Sequence, residues 1–488
     1  MANSLNAKQG NWISEHIALL LIAIVGLVLR LWQIGTKIFW MDELGVAQAA
    51  FQPTLSKTVD AAREHIMAMP LDYVTAWTMA RISHTEGWLR LPEALWGFLT
   101  LLAGYKLCLE LSGKKQLALF AMLMMALSPI LIEYSQELRF YAPLTFFFTL
   151  ALYLGLKAIR RSRSLDWLLF TLTTLIGLYF HFYLIMTLSI TVLWLIPKFG
   201  KEQWERIRNY FGISAIILSI GFLIGLKMFG GIYVESQLSL FKYESLSSFL
   251  LTGLGWTMPF PTSPLGWVIG MLYMTLAIIG VVINLKRNPL GEVSLLFYGV
   301  ILIVLLVIGL DALKNYPLFA RQIIMLAPLL IFFSACGADW IVEKITIRYS
   351  AAIPYSWATT ILFSLALILI ASPALYEYYG ASKGSDREIF TALSEHWQPQ
   401  EKIHVEAGAF EVYSYYWSQD PSKNPLVSAL TPLDYHSSDR WHYPDSAWFI
   451  VNYPPAKELE DALRSAGFEP AYIPQSNTLY PQMLWRRQ

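Results

Sequence analysis

Residues 17–45 read IALLLIAIVGLVLRLWQIGTKIFWMDELG, and the sequence changes character within this stretch. It is apolar as far as Trp32, and Arg30 is the charged residue that interrupts it. This length approaches the roughly twenty apolar residues needed to cross the hydrocarbon core of a bilayer. Two adjacent carboxylates, Asp42 and Glu43, follow shortly afterwards. The stretch therefore predicts a membrane-spanning helix whose exit carries an acidic pair.

The composition indicates the same class of protein. Of 488 residues, 56% are hydrophobic and 15% are charged, whereas a soluble protein carries roughly 25% charged residues. The chain has 36 Lys and Arg against 35 Asp and Glu, a net charge of +1 that gives no reason to expect nucleic acid as a partner. Cys108 and Cys336 both lie in apolar runs and provide neither a disulfide framework nor a metal-ligand cluster.

Long apolar runs predict eleven membrane spans. The spans lie near residues 15–34, 91–111, 116–133, 140–158, 166–182, 183–197, 210–229, 265–285, 292–311, 320–337 and 354–375. No signal-peptide cleavage pattern follows the first, so we interpret it as a mature helix. The basic short loops fall on one side of this layout, which the positive-inside rule makes cytoplasmic. The other side receives residues 35–90, 133–139, 230–264 and 312–319 and the tail from about 377.

The tail has the composition of a soluble domain. Residues 386–397 (DREIFTALSEHW) and 455–467 (PAKELEDALRSAG) predict helices, and residues 402–407 (KIHVEA) and 447–453 (AWFIVNY) predict strands. The predicted fold class is therefore an all-α polytopic membrane domain followed by a small α/β soluble domain. The first covers residues 1–376 with an outer loop at 35–90, and the second covers residues 377–488.

Ionisable residues cluster at the outer ends of the predicted spans, while the span interiors are nearly free of charge. The outer residues are Asp42, Glu43, Glu64, Asp72, Glu133, Glu137, Arg139, His181, Lys242 and Arg321. A transporter with a midplane site usually places such residues inside its spans. The pattern favours a site at the outer surface, roofed by an amphipathic surface helix within residues 56–68.

Five features in this order resemble the GT-C glycosyltransferases. They are the acidic pair, RLPEALWGFL at 90–99, YSQELRFYA at 134–142, HFY at 181–183 and LFARQIIMLAPLL at 318–330. The resemblance covers roughly residues 15–340 and is greatest to the protein O-mannosyltransferase and lipid A aminoarabinose transferase branch. It implies a polyprenyl-phosphate-linked sugar donor, an inverting hexosyl or mannosyl transfer and a site on the non-cytoplasmic face, here of a bacterial inner membrane. The chain departs from the branch at AMPLDYV (68–74), where Met69 replaces a proline and Asp72 enters the motif.

Sugar transfer needs a carboxylate that takes the acceptor's proton and cations that hold the departing phosphate. Asp42 is the candidate base. Glu43 supports it, binds a divalent cation, is a charge at the membrane surface or caps the next helix, and the sequence leaves these four roles open. Glu133 and Glu137 would be like charges at i,i+4 in a helix, which favours a turn, a bound cation or a ligand instead. We interpret Glu137 as the second site carboxylate, and whether Asp42, Glu43 or Glu137 binds a metal stays open.

Four cations and one histidine are candidates for binding the donor. Arg139 is a phosphate ligand or a partner in an interfacial salt bridge, and Arg321 binds phosphate or extends toward lipid head groups. His181 and Lys242 are weaker phosphate candidates. Arg30 lies inside a span, where an unpaired charge is costly, and we expect it to pair with a site carboxylate or within the structure.

The resulting hypothesis is a membrane glycosyltransferase that moves a sugar from a polyprenyl phosphate to a protein, lipid or glycan acceptor. Two alternatives come from other classes: a transporter or flippase of lipid-linked saccharides, and a non-catalytic binding subunit. Release of free polyprenyl phosphate separates the enzyme from both.

Overall fold

The computed structural model describes residues 2–64, 69–229, 264–314, 320–349, 357–419, 423–433, 446–452, 455, 457–474 and 482–487. The chain groups into two compact units. The first consists of Met1–Ile34 and Ala49–Tyr378, and the second of Gly35–Gln48 and Tyr379–Gln488. This grouping divides the outer loop at 35–90, because its acidic beginning belongs to the second unit.

Helices account for nearly all of the chain up to residue 380. They are α1 (Ala2–Leu31), α2 (Met41–Ala50), α3 (Leu55–Glu64), α4 (Pro70–Ala80), α5 (Glu86–Leu89), α6 (Leu91–Ser112), α7 (Lys115–Ala126), α8 (Pro129–Glu133), α9 (Tyr141–Arg161), α10 (Ser164–Leu178), α11 (Thr187–Leu195), α12 (Trp204–Phe229), α13 (Pro264–Arg287), α14 (Glu292–Lys314), α15 (Ala327–Tyr349) and α16 (Trp357–Gly380). Short 3₁₀ helices cover Phe182–Met186, Ile196–Lys198 and Ala320–Leu326.

Six helical segments within the described residues are long and apolar enough to cross a membrane. They are Leu91–Ser112, Tyr141–Arg161, Trp204–Phe229, Val268–Arg287, Glu292–Leu310 and Ile323–Lys344. Shorter apolar helices occur at Lys115–Ala126, Ser164–Leu178, Phe182–Lys198 and Leu365–Gly380. Large apolar side chains such as Ile216, Leu223 and Leu369 are more than half exposed, as expected for faces that contact lipid. The chain is a multi-pass integral membrane protein.

Local sequence signals explain several helix boundaries in the first unit. Pro70, Pro92 and Pro129 each occupy one of the first two positions of a helix, where the missing N–H has no intrahelical partner to lose. Gly113 ends α6 with φ +66°, a left-handed conformation that glycine adopts without steric cost. These boundaries bring the starts of α4 and α6 to defined positions, and both starts carry a buried carboxylate.

The second unit contains a five-stranded sheet in the order β2-β1-β3-β5-β4. The strands are β1 (Lys402–Val405), β2 (Leu430–Pro432), β3 (Ser446–Asn452), β4 (Phe468–Tyr472) and β5 (Gln482–Arg487). Strand β1 runs parallel to β2 and β3, whereas β5 is antiparallel to β3 and β4. The helices are α17 (Asp386–His396), α18 (Ala407–Ser418), α19 (Asn424–Ala429) and α20 (Lys457–Ser465). The two helices and two strands predicted for the tail are confirmed.

Both faces of the sheet are covered. Trp448 and Ile450 of β3 pack into one core, and Phe449 and Val451 pack into another, because successive strand residues point to opposite faces. The central strand therefore reads as a continuous apolar run. Helix α17 packs into the first of these cores through Ile389 and Leu393, and the buried Lys383 precedes this helix.

Candidate functional site

The turn between α8 and α9 carries two of the predicted site residues. Helix α8 ends at Glu133 and α9 begins at Tyr141, so the predicted turn is confirmed. Glu137 is fully buried within it. The side chain of Gln136 holds the turn in place: its Nε2 donates to the carbonyls of Leu29, Arg30 and Trp32 at 3.3, 3.0 and 2.7 Å. The position of Glu137 is therefore set by its neighbour in the same motif.

Arg139 and His181 are brought together in the first unit. The guanidinium of Arg139 lies over the ring of Phe140, with its carbon 5.1 Å from the ring centroid. The imidazole of His181 packs against the same ring at 4.3 Å between centroids. His181 is buried, and its Nδ1 accepts a hydrogen bond from the Tyr183 N–H at 3.2 Å. Both of these predicted donor-binding side chains therefore contact the ring of Phe140.

Asp72 and Glu93 add two buried carboxylates beside Arg139. Each lies in the first turn of its helix, α4 or α6, and each is 1% exposed. Neither carboxylate oxygen of Asp72 has a hydrogen-bond partner, and the same holds for Glu93 Oε2. Burial raises the pKa of Asp72 to about 6, although the nearby charge of Arg139 opposes this rise. Asp72 therefore exchanges its proton close to neutral pH.

Glu93 is the residue that the sequence analysis overlooked. It lies within the quoted motif RLPEALWGFL, and its signal was a carboxylate just inside an apolar span, where ionisable residues are rare and usually functional. Asp72 was identified only as a departure from a motif. The structure associates both with Arg139: the Arg139 charge acts on Asp72, and Asp72 in turn acts on Glu93. We name Asp72, Glu93, Arg139 and His181 the Arg139 cluster.

Glu137 and Arg321 lie near another side chain of the turn, Tyr134. Burial and then the charges of Glu133 and Glu137 raise the pKa of Tyr134 well above its usual range, while Arg321 acts in the opposite direction. Tyr134 also lines a small cavity together with Arg30, Gly97 and Ser135. Within the first unit the structure therefore gathers Glu137, Arg321 and Arg30 around this tyrosine.

Arg30 is fully buried and binds main-chain oxygens. Its Nη1 donates to the carbonyl of Gly26 at 3.0 Å, and its Nη2 donates to the carbonyl of Met125 at 3.4 Å. These hydrogen bonds connect α1 to the end of α7. The sequence left open whether Arg30 pairs with a site carboxylate or within the structure. These hydrogen bonds to main-chain oxygens are of the second kind.

The acidic pair belongs to the second unit, and its two members differ. Asp42 is half-buried, whereas Glu43 is fully buried. Glu43 Oε2 accepts a hydrogen bond from the N–H of Trp40, the residue before α2, at 3.4 Å. The same oxygen lies 2.7 Å from the Lys383 Nζ. Glu43 thus caps its own helix and forms a buried ion pair, while Asp42 keeps access to the surroundings.

One phosphate candidate, Lys242, and the open question of a metal ion remain. Lys242 lies outside the described residues. Among the residues that the structure describes, no group of three or more His, Cys, Asp or Glu side chains is arranged to hold a metal ion.

Solved structures similar to this chain share its fold. ArnT from Cupriavidus metallidurans in the apo state has a TM-score of 0.56 and 10% identity, over 98% of this chain and 98% of that one. The same protein bound to undecaprenyl phosphate gives 0.50 and 11%, over 96% and 97%. The apo oligosaccharyltransferase of Archaeoglobus fulgidus gives 0.51 and 11%, over 90% and 69%. At these identities the likeness shows the fold, which is that of the GT-C glycosyltransferases.

The matched family model is more specific. Residues 69–224 match the model described as dolichyl-phosphate-mannose-protein mannosyltransferase. This segment is less than half of the chain, yet it contains the whole Arg139 cluster and Glu137. The resemblance indicated by the motifs is therefore confirmed. None of the curated proteins compared with the chain matches it.

Proposed function

We propose that this protein is an integral membrane glycosyltransferase that moves a sugar from a polyprenyl-phosphate-linked donor to an acceptor on the non-cytoplasmic face. The observation that carries the proposal is the Arg139 cluster, because it contains two buried carboxylates, a guanidinium and a buried imidazole within the segment that matches the mannosyltransferase family. The similar fold of ArnT, solved with undecaprenyl phosphate, supports a lipid phosphate as the carrier.

The proposed reaction is a single displacement with inversion at the anomeric carbon. Asp42 takes the proton of the acceptor nucleophile as the new glycosidic bond forms, and its partial exposure gives the acceptor access. The bond to the polyprenyl phosphate breaks, and its electrons pass to the departing phosphate oxygen. Arg139 and Arg321 stabilise that charge, since a guanidinium matches phosphate geometry. The transferred sugar is a hexose of the mannose type, and the acceptor is a protein, lipid or glycan.

The proposed location is the plasma membrane of a bacterium, with eleven spans, a cytoplasmic N-terminus and the tail outside. The alternation of basic short loops supports this topology. Cysteines introduced at exposed Arg163 and Glu395, with Cys108 and Cys336 replaced by alanine, should react with an impermeant maleimide from opposite sides. Labelling of both from one side would overturn the topology and the shared side of the proposed site.

Donor cleavage tests the function itself. The purified protein is placed in vesicles with undecaprenyl phosphate that carries a radiolabelled hexose, and a membrane extract supplies acceptors. We expect free undecaprenyl phosphate and labelled acceptor to appear together. Movement of intact donor across the bilayer without cleavage would instead identify a flippase, and donor binding alone would identify a binding subunit.

A further inference from the structure

Glu43 and Lys383 form an ion pair that is almost completely removed from solvent. The Lys383 Nζ lies 2.7 Å from Glu43 Oε2, and the two side chains are 1% and 0% exposed. Burying both charges is costly unless the geometry is good and further hydrogen bonds are made. The N–H of Trp40 supplies such a bond to the same Glu43 oxygen. The pair therefore fixes the first turn of α2.

The residues around Glu43 are held just as firmly. The N–H of Phe39 donates to the hydroxyl of Tyr416 in α18 at 2.7 Å. Phe39, Leu44 and Val46 are fully buried. The start of α2 is thus held before Glu43 by a hydrogen bond within the second unit and is buried on both sides of Glu43.

The segment that carries Lys383 is hydrogen-bonded to the sheet of the second unit. Two residues later, the N–H of Ser385 donates to Gln482 Oε1 at 3.2 Å, and the N–H of Gln482 donates to Ser385 Oγ at 3.3 Å. Gln482 begins β5, which pairs with the central strand β3. A continuous set of contacts therefore leads from the sheet to Lys383, Glu43 and the first turn of α2.

Asp42 is the neighbour of Glu43 in that turn. Adjacent helical residues point about 100° apart, and here Glu43 is buried while Asp42 is half-buried. Any tilt or fraying of the first turn moves the Asp42 carboxylate, and a displacement of about 1 Å costs on the order of 10²-fold in rate.

We propose that Lys383 is a positioning residue for the transfer reaction. Through Glu43 it fixes the first turn of α2 and holds the Asp42 carboxylate in its working position. The Lys383 ammonium is also the cation that Glu43 binds, so Glu43 needs no metal ion. This inference rests on the proposed function, and it assigns the second unit a part in placing the candidate base.

The test compares Lys383→Met with Lys383→Arg, and Lys457→Met serves as the control because Lys457 is an exposed lysine of the same unit. Each purified full-length variant is assayed for hexose transfer per folded molecule and for its donor KM. We expect kcat to fall on the order of 10- to 100-fold in Lys383→Met with the donor KM within about twofold. Lys383→Arg should recover part of the loss, and Lys457→Met should behave as the wild type.

The double variant Glu43→Gln with Lys383→Met keeps the proposal falsifiable if the single variant does not fold. It leaves no buried unpaired charge, so it should fold, and its kcat should stay at least about tenfold below that of the wild type. Wild-type kcat in either folded variant overturns the positioning role and leaves the pair as a purely structural contact. Asp42→Asn separates this failure from that of the proposed function: an inactive Asp42→Asn beside a fully active Lys383→Met refutes only the role of Lys383.

Discussion

The buried carboxylates of the two units differ in their hydrogen-bond partners. In the second unit the buried Glu43 receives the Lys383 ammonium and the Trp40 N–H. In the first unit the equally buried Asp72 has no hydrogen-bond partner on either oxygen. Buried polar groups are normally hydrogen-bonded, and exceptions often mark function. Glu43 therefore has the contacts of a structural residue, whereas the Asp72 oxygens have none of these contacts and make Asp72 a candidate functional group.

Asp42→Asn should have the largest effect on activity, because it removes the carboxylate that is proposed to act as the base. Loss of a positioned base lowers transfer by roughly 10²- to 10⁴-fold. Binding of undecaprenyl phosphate should be unchanged, since cations elsewhere are proposed to hold the phosphate. Asp60→Asn is the matched control, because the Asp60 side chain is 59% exposed on the adjacent helix. Near-normal transfer by Asp42→Asn would make Glu137 the next candidate base.

Lys383→Met should have the largest effect on stability. Removing one member of a buried ion pair leaves an uncompensated charge and costs roughly 3 to 5 kcal/mol in the free energy of unfolding. The double variant with Glu43→Gln should recover most of this loss. Thermal unfolding of the four proteins in a double-mutant cycle measures it. Additive effects of the two substitutions would show that the pair is not coupled in solution.

Asp72→Asn tests the unsatisfied carboxylate through pH. The pKa of Asp72 is about 6 in the folded protein against an ordinary value of 3.8, so the folded state binds its proton more tightly. This contribution to stability is complete below about pH 4 and is lost as the pH rises through 6. The free energy of unfolding of Asp72→Asn should therefore equal that of the wild type at pH 4 and exceed it by about 3 kcal/mol at pH 8. A difference between the two free energies of unfolding that stays the same from pH 4 to pH 8 would contradict the raised pKa of Asp72.

Arg139→Ala should have a smaller effect, on donor binding. Loss of a charged hydrogen bond weakens binding of undecaprenyl phosphate by roughly 1.5 to 3 kcal/mol. Arg63→Ala is the control, because the Arg63 side chain is 43% exposed. Equilibrium binding of the lipid to both variants decides the assignment. Unchanged affinity in Arg139→Ala would make Arg139 a counter-ion of Asp72 and leave Arg321 as the phosphate candidate.

Local sequence patterns predicted the features that local physics determines. Long apolar runs predicted a helical membrane protein, short apolar segments predicted the strands of the tail, and the like charges of Glu133 and Glu137 favoured the turn after α8. Six helices among the described residues meet the length and hydropathy expected of a span, and the count of eleven spans stays a prediction. Short apolar helices such as α7 and α10 account for part of this difference.

The partners of buried charges were not predictable in the same way. Glu43 and Lys383 are 340 positions apart in the chain, and no local pattern near Asp42 indicates a lysine beyond the last apolar helix. Similarly, Asp72, Glu93 and Arg139 come from three separate segments, and only packing associates them. The choice among the roles left open for Glu43 therefore depended on tertiary structure. The structure favours the helix cap and adds an ion pair that the sequence did not suggest.

The most direct test of the account is the fate of the donor lipid in the wild type and in Asp42→Asn. Both proteins, in vesicles with hexose-labelled undecaprenyl phosphate and a membrane extract, are followed for free undecaprenyl phosphate and for labelled acceptor. We expect free undecaprenyl phosphate and labelled acceptor to appear in equal amounts in the wild type. Both should fall together by roughly 10²- to 10⁴-fold in Asp42→Asn. Labelled donor that stays intact in the wild type, whether bound or moved across the bilayer, would contradict the account.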